Sequence, residues 1–189
     1  MKKLILASGS PRRKELLARL GLEFEVVVST FDEHLVEGRS PIEQAQHLAL
    51  AKATALVDDY PEDVIIAADT IVVLDGVILG KPINKEDARK MLRLLSGKKH
   101  QVITGFAVIQ GARKVVGAEQ TDVFFRHLTE EEIENYLVSG EYVDKAGGYG
   151  IQGIGSLLVE KINGCYFNVV GLPLSRIHQV LKQFGYNVI

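Results

Sequence analysis

The chain has 189 residues, 47% of them hydrophobic, enough for one domain with its own core and scope for two lobes around a cleft. Its formal net charge of -2 argues against a general nucleic-acid binder, although a small anionic ligand needs only local charge. The single Cys165 excludes an intrachain disulfide, and no apolar run approaches the ~20 residues that span a bilayer, so a soluble, cytoplasmic protein is expected.

In chain order, Leu4 to Ala7 predict a short buried strand, and Ser8-Gly9-Ser10 a tight turn. A helix follows with Ser10 as N-cap, Pro11 at the first helical position and Leu16, Leu17 and Leu20 on its inner face. Arg12 and Arg13 stand where helix N-termini favour acids, so they either point into solvent or face an anion. Two serine hydroxyls, backbone N–H groups and two guanidinium groups at one strand-to-helix turn have the makings of a phosphate cradle.

Glu23 to Val28 reads as a second strand, and Phe31 to Arg39 as a polar loop in which Glu33 is by default plain loop charge. Ser40-Pro41-Ile42-Glu43 is a capping box. Its helix carries Ala45, Leu48, Ala49, Ala53 and Leu56 on one side, with Lys52 assigned by default to a solvated face. Val64 to Leu74 predicts a central strand, and Asp75-Gly76 a type I′ hairpin into Val77 to Leu79. Asn84 caps a third helix closed by Ser96-Gly97, and two long strands, Gln101 to Ile109 and Val115 to Phe125, join around Gly111. A second capping box at Thr129 opens a helix ending near Ser139-Gly140, before a loop with five glycines between Glu141 and Gly155. Leu157 to Ile162 and Tyr166 to Val170 are expected to pair around Asn163-Gly164, and a last helix carries Leu174, Ile177, Val180, Leu181 and Phe184. The alternation predicts an α/β fold with a mixed sheet.

Asp69 interrupts a run that is apolar on both sides. A carboxylate there must be paired, hydrogen-bonded or metal-bound, which leaves a core network or a general base and metal ligand as its alternatives. Lys81, after the hairpin, is either an exposed turn lysine or an ammonium facing phosphate. Gly148 to Gly153 matches G-x-G-x-x-G, but a loop precedes it and a strand is expected after it, the reverse of the dinucleotide context. No Walker A loop, kinase signature, zinc spacing or G-x-S-x-G elbow is present.

Ser8-Gly9-Ser10-Pro11-Arg12-Arg13, Ala68-Asp69-Thr70, Gly80-Lys81-Pro82, Leu95-Ser96-Gly97, Asp144 through Gly153 and Val170-Gly171-Leu172-Pro173 together resemble the Maf family of nucleoside triphosphate pyrophosphatases. The resemblance runs in order along essentially the whole chain, 1–189, as one domain. It implies an inosine triphosphatase-like fold, an elongated mixed sheet flanked by helices in two lobes with a central cleft. It implies hydrolysis of a triphosphate to monophosphate and pyrophosphate with a divalent cation, Mg²⁺ or Mn²⁺. Asp69 would be the catalytic base, with Glu33 and Asp69 toward the metal and Ser8, Arg13, Lys52 and Lys81 around the phosphates. Arg12, Thr70 and Gln152 match the specificity positions of the branch acting on dTTP and UTP. A homodimer acting on free nucleotide, without nucleic acid or membrane, is the implied assembly. The alternative is a nucleotide-binding regulator of cell division in which turnover is not obligatory.

Overall fold

The computed structural model describes residues 2–29 and 36–189. Strand β1 (Leu4–Leu6) leads into helix α1 (Pro11–Ala18), then β2 (Glu25–Val26), α2 (Pro41–Thr54) and the eleven-residue β3 (Val64–Leu74). After β4 (Val77–Leu79) come α3 (Lys85–Leu95), the long pair β5 (Lys99–Gln110) and β6 (Arg113–Phe125), and α4 (Glu130–Val138). Two short 3₁₀ turns, Ala146–Gly148 and Ile154–Leu158, precede β7 (Val159–Asn163), α5 (Tyr166–Val170) and α6 (Leu174–Gln183). The strands form one sheet in the order β2-β1-β3-β5-β6-β7, with β4 paired to β3.

The sheet is mixed, as expected. β1 runs parallel to both β2 and β3, with Leu6 opposite Val26 and Ile66, while β4 and β7 pair antiparallel with β3 and β6. Because β2 lies on one side of β1 and β3 on the other, the direction of sheet growth reverses at β1. In open α/β sheets such a reversal leaves a crevice at the carboxyl ends of the strands, where ligands bind. Ser8 to Ser10 follow the carboxyl end of β1, and Asp69 lies on β3 three residues beyond its last pairing with β1.

The chain forms two compact units. The first comprises Met1–Asp69, Thr104–Glu119 and Gly171–Ile189. Its core includes Ile5 and Ala7, Ile65 and Ala67, and Ala107 and Ile109, covered by Ala49, Ala53 and Leu56. α2 approaches β5 closely because small residues meet there: a Cβ on Gly105 would lie 2.2 Å from the Ala45 backbone. Ala45, Ala49 and Ala53 recur every fourth residue and are fully buried, so one face of α2 seats flush on the sheet.

The second unit comprises Thr70–Ile103 and Gln120–Val170. α3 and α4 bury Ala88, Leu92, Leu95, Ile133, Tyr136 and Leu137 among Val102, Val123 and Phe125. Buried in the same core, His100 Nε2 lies 2.7 Å from the Tyr149 hydroxyl, with Phe125 edge-on to both rings. Burial pushes the His100 imidazole down to about 4 and the Tyr149 phenol up. Between the ordinary histidine value near 6.5 and about 4 the unfolded chain therefore binds the extra proton, so stability is full above that window and falls as pH drops through it. Urea unfolding should give about 2 kcal/mol less stability at pH 5 than at pH 7.5 from this residue. His100→Gln, which keeps a partner for Tyr149 without titrating, should flatten that difference.

Several local signals hold. Asp75 and Gly76 adopt φ of 50° and 80°, the type I′ turn. Both capping boxes are formed, by Ser40 with Glu43 and by Thr129 with Glu132. Ser10 occupies the N-cap of α1 and Pro11 its first position, but the Ser10 side chain makes no capping bond. The second strand is shorter than expected, only Glu25–Val26.

The expected hairpin at Asn163-Gly164 is not formed; Tyr166–Val170 is helix α5. A type I′ turn needs both central residues near φ +60°, whereas Asn163 keeps a negative φ and Gly164 sits at +134°. Buried side chains override the local preference. The Thr121 hydroxyl accepts from Cys165 N–H at 3.0 Å and from Asn168 Nδ2 at 3.0 Å, and Asn168 Nδ2 also donates to the Val102 carbonyl at 2.9 Å. These bonds draw the segment after β7 into a turn of helix instead of a returning strand.

Candidate active site

Asp69 is the sixth residue of β3, three past Ile66, the last one paired with β1. Its neighbours Ile65 to Ala68 and Ile71 to Leu74 are buried, and Asp69 itself is only 7% exposed. Its charge is met by Lys52, whose Nζ lies 2.5 Å from Asp69 Oδ1, with both side chains about nine-tenths buried. The default placement of Lys52 on a solvated face is thereby corrected. The spacing 45, 48, 49, 52, 53, 56 puts Lys52 on the apolar stripe that α2 lays on the sheet, so its stem is buried and its ammonium reaches the carboxylate. Bare, either charge would cost several kcal/mol at such burial; together they satisfy each other.

The turn after β1 stands on the neighbouring strand. Ala7 N–H donates to the Ile66 carbonyl at 2.7 Å, which carries the parallel register one residue past β1. Ser8 is buried, and its hydroxyl accepts from Ser10 N–H at 3.2 Å and from Arg13 Nη1 at 3.4 Å. Arg13 Nε donates to the Gly171 carbonyl at 2.8 Å. Gly171 has φ +124°, a conformation that side-chain-bearing residues rarely adopt, so its place in Gly171-Leu172-Pro173 has a physical reason. Arg13 is thus tied at two points, and its fork is oriented rather than loose in solvent. Arg12, beside it, is half-buried, and no acid lies in the first turn of α1 to offset the pair.

Ser8, Arg12, Arg13, Lys52 and Asp69 therefore all belong to the first unit: Ser8 just past the carboxyl end of β1, Asp69 in the middle of β3 beyond its pairing with β1, and the others on α1 and α2. Thr70, Lys81 and Gln152 belong to the second. Thr70 follows Asp69 on β3 and is half-buried, while Lys81 and Gln152 are exposed on loops. The Lys81 loop is tied by Gly147 N–H donating to the Gly80 carbonyl at 3.0 Å. Gly147 itself needs to be glycine: φ is +70° and a Cβ would press on Val72 at 3.1 Å. Glu33, expected toward a metal, lies outside the described residues.

Two supporting groups have no counterpart in the sequence reading. The Gly171 carbonyl was hidden because a backbone acceptor leaves no mark in residue type. Glu141 accepts from the N–H groups of the Gln152 loop, and it stood in a stretch read only as glycine-rich.

Among the described residues, no three His, Cys, Asp or Glu side chains converge to cage a metal. A hard divalent cation does not require that, since Mg²⁺ keeps several waters and takes one or two carboxylates beside substrate phosphate. Asp69, a buried carboxylate held beside the Lys52 ammonium, has the hard oxygen donors such a role needs. No helix among the described residues is long and apolar enough to cross a membrane.

Residues 3–184 match the family model described as Maf-like protein. A dTTP/UTP pyrophosphatase of Bacillus cereus is 52% identical over 188 residues, covering all of this chain and 93% of its own length. One from Symbiobacterium thermophilum is 50% identical, covering all of this chain and 97% of its own. Among solved structures, the Staphylococcus aureus Ham1 protein is 17% identical with a TM-score of 0.47, over 66% of this chain and 72% of that one.

Proposed function

The chain belongs to the Maf family, and we propose that it hydrolyses dTTP and UTP to the monophosphate and pyrophosphate. Relatives at half identity over the whole length bear that name, and the observation that carries the reading in this chain is the buried Lys52–Asp69 pair beside the Ser8 turn. A polar pair of that burial, set in β3 beyond its pairing with β1, has a chemical use that packing alone does not require.

In this reading the Ser8 hydroxyl, the first N–H groups of α1, Arg13 and Lys81 hold the phosphates, with Lys52 close by. Asp69 and Glu33 would hold the divalent cation, Mg²⁺ or Mn²⁺, which when bound supplies Lewis-acid charge against the phosphate oxygens. Asp69 orients a water and takes its proton as the oxygen attacks the α-phosphorus. The bond to the bridging oxygen breaks, and pyrophosphate leaves with its charge offset by Arg13 and Lys81. Lys52 keeps Asp69 aimed and desolvated until the nucleotide arrives. The same proposal places the enzyme in the cytoplasm as a homodimer acting on free nucleotide, with the full chain as one catalytic domain.

Gln152, with Arg12 and Thr70, reads the base. A carboxamide presents both an acceptor and a donor, which suits the N3–H and O4 edge of uracil or thymine. An ionised carboxylate there only accepts and would repel O4. Gln152→Glu should therefore lower kcat/KM for UTP about tenfold or more while leaving inhibition by inorganic tripolyphosphate unchanged. The function itself is tested by incubating the protein with UTP, dTTP and GTP and divalent cation: UMP and dTMP should form with equimolar pyrophosphate, and GTP should be the poorest substrate. Tight UTP binding without product would favour a regulator instead.

A further inference from the structure

Gln152 sits at the tip of a loop, and the structure shows what holds that loop. The Glu141 carboxylate, on the segment after α4, reaches across to it: Oε1 accepts from Ile154 N–H at 2.8 Å and Oε2 from Gly155 N–H at 3.1 Å. Gly153 lies against the same carboxylate, since a Cβ there would fall 2.3 Å from Glu141 Oε1. On the other side of Gln152, Gly150 N–H donates to the hydroxyl of Tyr136, a buried residue of α4, at 3.3 Å. The two ends then close on each other, because a Cβ on Gly155 would lie 2.2 Å from the Gly150 carbonyl. Gln152 is left exposed between two fixed points.

We propose that Glu141 is a positioning residue for base selection: by binding two successive N–H groups it fixes the loop whose tip presents Gln152 to the nucleobase. This rests on the assignment of Gln152 to the base. The chemistry requires a carboxylate. Two adjacent N–H donors ask for two acceptor oxygens, and a glutamine offers one oxygen and an NH₂ that can only donate. Glu141→Gln therefore keeps the size of the side chain and loses one of the two bonds, turning a neighbour that accepts into one that opposes. Charge-assisted bonds of this kind are the stronger sort, so their loss should loosen the loop without unfolding the unit.

The experiment compares Glu141→Gln, Gly153→Ala and Gln152→Glu in the full chain, using UTP turnover and inhibition by inorganic tripolyphosphate. Gly153→Ala perturbs the same contact from the loop side, by pushing a flexible carboxylate away from its two donors. Both Glu141→Gln and Gly153→Ala should raise KM for UTP about tenfold, keep kcat within about twofold and narrow the preference for UTP over GTP. Tripolyphosphate, which has no base, should inhibit all three variants as it does the parent. A UTP KM within twofold of the parent for both variants overturns the proposal while Gln152→Glu still shows its own effect. An equal weakening of tripolyphosphate also overturns it, since Glu141 would then be supporting the whole unit. If Gln152→Glu leaves UTP turnover unchanged, the base assignment of Gln152 fails, and the transmission through it falls as well.

Discussion

Asp69→Asn should lower kcat for UTP hydrolysis by about 10³-fold, with KM changed by no more than a few-fold. The carboxamide keeps an oxygen for the Lys52 ammonium, which now donates to Asp69 Oδ1 at 2.5 Å, so the hydrogen bond survives although the counter-charge does not. What is lost is the capacity to take a proton from water, together with the negative charge proposed to face the cation. The groups proposed for the phosphates are elsewhere: Ser8 and Arg13 remain tied to each other, and Arg13 to the Gly171 carbonyl. Binding should therefore survive chemistry, and single-turnover kinetics would separate the two. An Asp69→Asn protein with a near-parental kcat would remove this residue as the base.

Lys52→Met should have the largest effect on stability. It leaves the Asp69 carboxylate in an apolar strand with its ammonium partner gone, and breaking a buried pair from one side costs about 3–5 kcal/mol. For a chain of this length that corresponds to a fall in Tm of about 10 °C or more. The double variant Lys52→Met with Asp69→Leu should recover most of the loss, because a buried pair replaced by apolar groups of similar volume is close to neutral. It should also be inactive. Stability regained together with activity lost would show that the pair is kept for chemistry, at a site where hydrophobic packing would serve the fold as well. A double variant as unstable as the single one would place the pair among the structural supports. Thermal unfolding of the parent, Lys52→Met, Asp69→Leu and the double variant forms a double-mutant cycle for the pair.

The parts of this structure legible in the sequence are those decided locally. The β3 run, the Asp75-Gly76 turn and the capping boxes at Ser40 and Thr129 each carry their cause within a few residues. Asp69 was legible as a site because a lone charge in an apolar strand has few explanations. The misreadings came where distant partners decide. Asn163-Gly164 has the strongest hairpin dipeptide in the chain, yet Thr121 and Asn168 bind across it and fold the following residues into α5. Residue type alone puts Lys52 in solvent, although its spacing lies on the buried stripe of α2. Glu141 left no local signal, because its two donors are backbone groups thirteen and fourteen residues on.

The most direct test of the account is UTP hydrolysis in water enriched in ¹⁸O, run with the parent protein and Asp69→Asn and read by mass spectrometry of both products. Water directed by Asp69 onto the α-phosphorus puts the label in UMP, leaves pyrophosphate unlabelled and gives a signal about 10³-fold weaker in the variant. Label in the pyrophosphate, release of UDP with inorganic phosphate, or equal labelling by the Asp69→Asn protein would contradict it.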